Sequence, residues 1–374
     1  MNGRELLLDA ISGKKTYRIP IVPFIYENFI SEQNNGKISD TIKSGITLYK
    51  KYGFDIILRN YIISDYLDES LNTTNSWIVQ KHIIGQFGEN WSEKTIVTTP
   101  ERVLKQEKTF RRISPYEIVE AVTEYYIKEQ VDFEQFKKFQ PPLGIYDCML
   151  VTEARKAVGN DGLTGPWVQG AFNMLGMHRD LAYLLIDPFT DENFYKEMME
   201  HFIVRVIGFI KQVIRAGADF ISLSGNMASG KMAGPKYFKE FVMPYEMRVI
   251  DAIHQEGAKI IYHNCGDANE LLPFYAQMNI DMFETLTAPP YGDVILEDAF
   301  KKIPLPTTLS GGIDQIDFLI KATPLQVKER VQEVLALAKK RGGFILATSD
   351  YLCEKTPEAN LYALSEAGKL YGKY

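Results

Sequence analysis

The sequence predicts a (β/α)8 TIM barrel with an inserted antiparallel hairpin and helices between its second and third strands. Eight short apolar, β-branched runs recur along the 374 residues, each followed by a stretch of helical character. Continuous apolar strands alternating with helices imply a parallel sheet covered by helices, and eight such units close a barrel. About a hundred residues separate the second run from the third, more than one crossover helix needs, so an insertion lies there.

The opening MNGRELLLDAISG is an amphipathic helix, without the sustained apolar core or small-residue cleavage site of a secretory signal. IPIVPFI (19–25) is the first strand and FDIILR (54–59) the second. The insertion, about 70–160, starts with SWIVQKHIIGQFGENWSEKTIVTTP. Its alternation and its Trp, Thr and Val content read as an antiparallel hairpin or small sheet near 75–110. Helices are expected near 116–130, 133–139 and 145–157.

TGPWVQG (164–170), ADFISLSG (218–225), AKIIYHNCG (258–266), DMFETL (281–286), PTTLSGGI (306–313) and GGFILATSD (342–350) supply strands three to eight. Between the fourth and fifth, GPKYFKEFVMPYEMRVIDAIHQEG is helical, with Pro244 kinking or dividing it. ATPLQVKERVQEVLALAKKRGG joins the seventh to the eighth after a Thr-Pro start. With no repeat and no low-complexity tract, residues 1–374 read as one elaborated domain.

Composition narrows the function. Hydrophobic residues at 45% and charged residues at 24% allow a large core. A net charge of -6, with no Lys/Arg block and no C-x-x-C pair, argues against a nucleic-acid partner. No run nears the roughly 18 apolar residues of a membrane helix, so a soluble, cytoplasmic protein is expected. Three cysteines, Cys148, Cys265 and Cys353, are too few and too odd in number for a disulfide framework. Their chemistry should be that of metals or thiols.

In a barrel the reacting groups sit at the C-terminal ends of the strands. The fifth strand ends in Tyr262-His263-Asn264-Cys265-Gly266. Alternation puts His263 and Cys265 on one face, about 6 to 7 Å apart at Cα, and an imidazole–thiolate pair suits Zn2+. By itself such a tripeptide is more often a core thiol beside a satisfied histidine. Location changes that balance, because the sixth strand ends at Glu284 and the eighth at Asp350, with Cys353 three residues on. His82, His178, His201 and His254 are expected in surface or capping roles.

Taken in order, TGPWVQGAF, RAGADFISLSG, GPKYFKEFVMPY, YHNCG, LSGGID and GGFILATSD with KTPEANLYAL resemble the uroporphyrinogen decarboxylase superfamily. Within it they are most similar to the zinc-dependent, corrinoid-linked methyltransferases. The resemblance is close over residues 160–374 and loose before them. The decarboxylases hold their substrate carboxylates with an N-terminal Arg-Gln-Ala-Gly-Arg segment. The corresponding stretch here, Pro23 to Phe29, has no arginine, so a polycarboxylate tetrapyrrole would meet no cationic clamp. The methyltransferases' third zinc ligand is a Cys about six residues before a Thr-Pro, and counting back from Thr356-Pro357 puts Asp350 there.

The resemblance therefore implies zinc on His263, Cys265 and Glu284, with Asp350 or Cys353 as the unresolved further ligand. Asp350, Glu284 and Tyr26 are the catalytic candidates. Asn226, Asn264 and Tyr291 are the candidates for contacting a corrinoid, which the resemblance implies is carried by a separate corrinoid-binding protein; this chain shows no cobalamin-binding D-x-H-x-x-G motif of its own. Phe24, Tyr26, Phe29, Tyr61, Trp167, Phe172, Tyr291 and Tyr351 lie near strand ends or the insertion; most should be packing residues, and a few at the mouth would suit an aromatic substrate.

The reading favoured is transfer of methyl from a small O-methylated, aromatic donor to a Co(I) corrinoid. Transfer from the corrinoid to a thiol or other acceptor, and a non-catalytic tetrapyrrole-binding barrel, stay open. A homodimer is compatible with each.

Overall fold

A computed structural model of the chain describes residues 1–59 and 73–374. Its strands are β1 (Ile56–Leu58), β2 (Ile78–Gln86), β3 (Asn90–Thr98), β4 (Val103–Arg112), β5 (Ile118–Glu124), β6 (Gly162–Thr164), β7 (Trp167–Gln169), β8 (Phe220–Ser224), β9 (Lys259–His263), β10 (Met282–Glu284), β11 (Thr308–Ile313) and β12 (Phe344–Thr348). Strands β7 to β12 pair in parallel in sequence order, and β6 pairs in parallel with β1. The fold is a TIM barrel.

Proline explains its two irregular staves. The third strand is divided at Gly165-Pro166, because proline has no N–H for a ladder; β6 serves β1 and β7 serves β8. Gly165 sits where a Cβ would lie 1.9 Å from the Phe220 carbonyl oxygen, an approach only glycine permits. Residues 19–25, interrupted by Pro20 and Pro23, make bridges instead of a regular ladder. Ile21 pairs in parallel with Leu346 and Phe24 with Tyr351. On its other side this segment is tied to β1 by Asp55, whose carboxylate accepts the Ile21 N–H at 2.8 Å and a bidentate Arg18 fork at 2.7 and 2.6 Å. The eighth position is thus filled, and the ring closes.

The helices follow the sequence signals. Thr323 and Gln326 form a capping box at the start of Pro324–Arg341. Before Met243–Gln255 the chain makes a π-helical turn, Phe238–Val242. Pro244 supplies no N–H to the preceding turn, so the carbonyls there take longer-range partners.

The insertion is a four-stranded antiparallel sheet in the order β2-β3-β4-β5. The helix expected near 116–130 is not formed; its first half is β5. Ile118-Val119-Glu120-Ala121-Val122-Thr123 carries β-branched residues with no helical stripe, and the neighbouring β4 offers a ladder that it joins from Arg112 to Lys108. The other two helices are Gln130–Phe139 and Met149–Val158. The β4–β5 turn reaches the barrel rim, where Ser114 donates to Glu354 and the Tyr351 hydroxyl donates to Glu117 at 2.8 Å. No helix among the described residues is long and apolar enough to cross a membrane.

Candidate metal centre

At the C-terminal rim, one ligand atom each from His263, Cys265 and Asp350 lie within 4.8 Å of one another. His263 ends β9, Cys265 follows two residues later on the same face, and Asp350 comes from just past β12. The Asp350 backbone is set by Gln315, whose side-chain oxygen accepts its N–H at 3.2 Å, and one carboxylate oxygen accepts the Tyr351 N–H at 2.8 Å. Burial pushes the Asp350 carboxyl up, opposed first by the charge of His263.

Glu284 stands behind His263, outside this cluster. Its Oε1 lies 3.0 Å from His263 Nδ1 and 2.6 Å from Arg59 Nη1. Burial acts against the ionised Glu284 carboxylate, but the Arg59 and His263 charges hold it well below the usual carboxylate range. Hydrogen bonds to Cys265 and Glu284 raise the imidazole well above its ordinary value despite its burial. With Nδ1 committed to Glu284, Nε2 is the ring nitrogen left for a ligand, the arrangement by which metal-binding histidines are usually oriented.

In front of the cluster is a cavity of about 190 Å3 lined by Phe24, Tyr26, Trp167, Asn226, His263, Cys265, Asp350 and Tyr351. The Trp167 ring meets His263 edge-on with centroids 4.5 Å apart, and Phe24 stacks near Trp167 at 5.9 Å. Tyr26 and Tyr351 form the outer wall, with centroids 5.5 Å apart. Burial pushes the Tyr26 phenol up to about 12, so it is a neutral hydrogen-bonding group at ordinary pH.

Of the other residues singled out from sequence, Asn226 lines the cavity, its Oδ1 accepting from Asn173 at 2.7 Å and Ser224 at 3.1 Å. Asn264 faces away, as alternation along the strand requires. Its amide donates to the Tyr275 hydroxyl at 2.6 Å and its oxygen accepts the Gly266 N–H. Tyr291 is exposed and donates to Asp317 at 2.8 Å, away from the cavity lining.

Cys353 is not part of the ligand cluster. Burial, with Glu117, Asp350, Asp314 and Glu354 nearby, pushes its thiol up to about 11. Phe29 and Phe172 are buried in the core, and Tyr61 lies outside the described residues. His178, His201 and His254 are half-buried or buried and bond to Met174, Gln140 and Asp281 respectively.

Arg59 is the residue that sequence reasoning missed. It ends the second strand, and the same strand-end rule that selected Glu284 applies to it.

A model of the uroporphyrinogen decarboxylase (URO-D) family matches residues 121–371, more than half of the chain. Among curated relatives, the methylated-thiol–coenzyme M methyltransferase of Methanosarcina mazei is 30% identical over 166 residues, 44% of this chain and 41% of the relative. The methylcobamide:CoM methyltransferase MtbA of the same organism is 24% identical over 189 residues, 49% of this chain and 51% of the relative. The chain thus spans about half the length of the curated relatives it matches. A solved methyltransferase from Methanosarcina mazei shares the fold, with a TM-score of 0.72, 13% identity and 99% of each chain covered.

Proposed function

The chain belongs to the uroporphyrinogen decarboxylase family, and from that premise we propose that it is a cytoplasmic, zinc-dependent methyltransferase. It moves a methyl group from a small O-methylated aromatic donor to the Co(I) corrinoid of a partner protein. The observation that carries the reading is the convergence of His263, Cys265 and Asp350 on one point at the floor of an aromatic cavity.

The donor set fits zinc: one imidazole nitrogen, one thiol sulfur and one carboxylate oxygen is a common N/S/O combination for that ion, and three protein ligands leave a position for substrate. When bound there, zinc supplies Lewis-acid polarisation of a coordinated heteroatom. A carboxylate at Asp350 donates less electron density than the second thiolate of the family's pattern, which favours an oxygen of an ether over a thiol. The remaining work falls to this chain's residues. Trp167, Phe24, Tyr26 and Tyr351 hold an aromatic ring by face and edge contacts and keep water from the reacting oxygen. Asn226 and the neutral Tyr26 phenol offer the polar contacts that orient it.

A second reading is transfer from the corrinoid to a thiol, favoured by the names of the curated relatives. The two are separated by assaying zinc-loaded protein with free cobalamin in both directions, against a panel of aryl methyl ethers, methylamines and thiols. Methylation of cob(I)alamin by an aryl methyl ether is the expected result. Activity confined to methylcobalamin and a thiol would overturn the donor assignment and leave the second reading.

A further inference from the structure

We infer that Arg59 is a positioning residue for the metal centre, acting through Glu284 on His263. Its guanidinium and the Glu284 carboxylate are both buried, and Nη1 is shared between Glu284 Oε1 at 2.6 Å and Ser222 Oγ at 3.2 Å. The planar group lies over the Phe24 ring at 4.6 Å, and Phe24 is itself a wall of the substrate cavity. The single oxygen Oε1 therefore carries both the Arg59 contact and the His263 Nδ1 contact.

This geometry decides what Glu284 does. A carboxylate one strand away from a metal cluster can either ligate the metal or accept from the histidine that does. Arg59 neutralises Glu284 and holds Oε1 on Nδ1, which leaves Nε2 of His263, with Cys265 and Asp350, as the groups that would hold a metal ion and keeps Glu284 out of that set. Removing a buried countercharge frees the carboxylate to turn away from Nδ1, and an imidazole that loses its partner is less firmly oriented for a metal. A lysine could supply the charge but not the planar guanidinium that lies over the Phe24 ring.

The inference rests on the metal-site reading, and the experiment separates the two. Zinc affinity is measured by chelator competition on apo-protein, and the visible spectrum is recorded after Co2+ loading, for the wild type and for Arg59→Met, Arg59→Lys, Glu284→Asp and Cys265→Ala. Arg59→Met is expected to change the Co2+ d–d bands and to weaken zinc by about 10- to 100-fold, and Arg59→Lys to recover part of both. Glu284→Asp, which keeps the charge but falls short of Nδ1, should reproduce the spectral change and carries the test if Arg59→Met does not fold. Unchanged spectra and zinc affinity within about twofold for the folded Arg59 and Glu284 variants, whatever their melting temperatures, would reduce Arg59 to a structural ion pair. Wild-type protein that binds neither metal, or binds as well after Cys265→Ala, would instead remove the metal centre itself.

Discussion

Glu246 offers a perturbation whose size can be worked from the structure. It lies on Met243–Gln255, is fully buried, and points at the start of the helix Ala171–Gly176, where the Phe172 N–H reaches its Oε1 at 3.4 Å. Its Oε2 has no partner among the described residues, and a Cβ on Gly170 would stand 2.5 Å from Oε1. Burial pushes the carboxyl up from 4.5 to about 8, with the Phe172 and Ala171 N–H groups pulling the other way. Below about pH 4.5 the group is protonated in folded and unfolded chain alike. Between there and pH 8 the unfolded chain releases a proton that the folded chain keeps, so stability falls as pH rises; above pH 8 the full cost is present.

At about 1.4 kcal/mol per tenfold change in proton affinity, that interval corresponds to roughly 5 kcal/mol as an upper bound, with relaxation around the carboxylate reducing it. Glu246→Gln has the shape of the protonated group and cannot ionise. Urea unfolding of both proteins at pH 5, 7 and 9 should give near-equal midpoints at pH 5 and a growing advantage for the variant toward pH 9. Parallel pH profiles for the two proteins would refute the reasoning.

Cys265→Ala should abolish zinc binding while leaving a folded barrel, because a rim ligand is not part of the core, whereas Cys148→Ala should change neither; metal analysis and circular dichroism decide. Asp350→Ala should lower methyl transfer by 10-fold or more while Cys353→Ser stays close to wild type and keeps its zinc; zinc loss in the Cys353 variant would return that thiol to the ligand set. Asp350→Cys should bind zinc more tightly and lose activity on ethers relative to thiols, read from the ratio of the two rates. Gly225→Ala would put a Cβ 2.0 Å from the buried Tyr262 hydroxyl and should destabilise by about 1–3 kcal/mol, read as a lower melting temperature.

The eight barrel runs were legible because parallel strands buried on both faces leave continuous apolar stretches, and His263 and Cys265 because strand alternation is a local property. The helix expected over 116–130 shows where local reading stops. Its residues were decided by pairing with β4, a contact that no window of sequence contains. Glu284 was found by its strand-end position, but whether it faces the cluster or the back of His263 depends on Arg59, more than two hundred residues earlier. Asn264 and Tyr291 do not line the cavity. One alternates away from the cavity, and the other lies on a loop that turns to Asp317.

The bridges that close the ring join Phe24 to the Thr348–Leu352 stretch, with the Phe24 N–H on Thr348 Oγ1 across 324 positions and the Leu352 N–H on the Phe24 carbonyl. As the chain is synthesised, this stave must wait 324 positions before its partner exists. Until then β12 is missing, the barrel is an open sheet, and two strand edges are exposed to wrong neighbours. Asp350 belongs to that later stretch. The candidate ligand set is therefore completed when the ring shuts, so a cation bound there would act as a latch on closure.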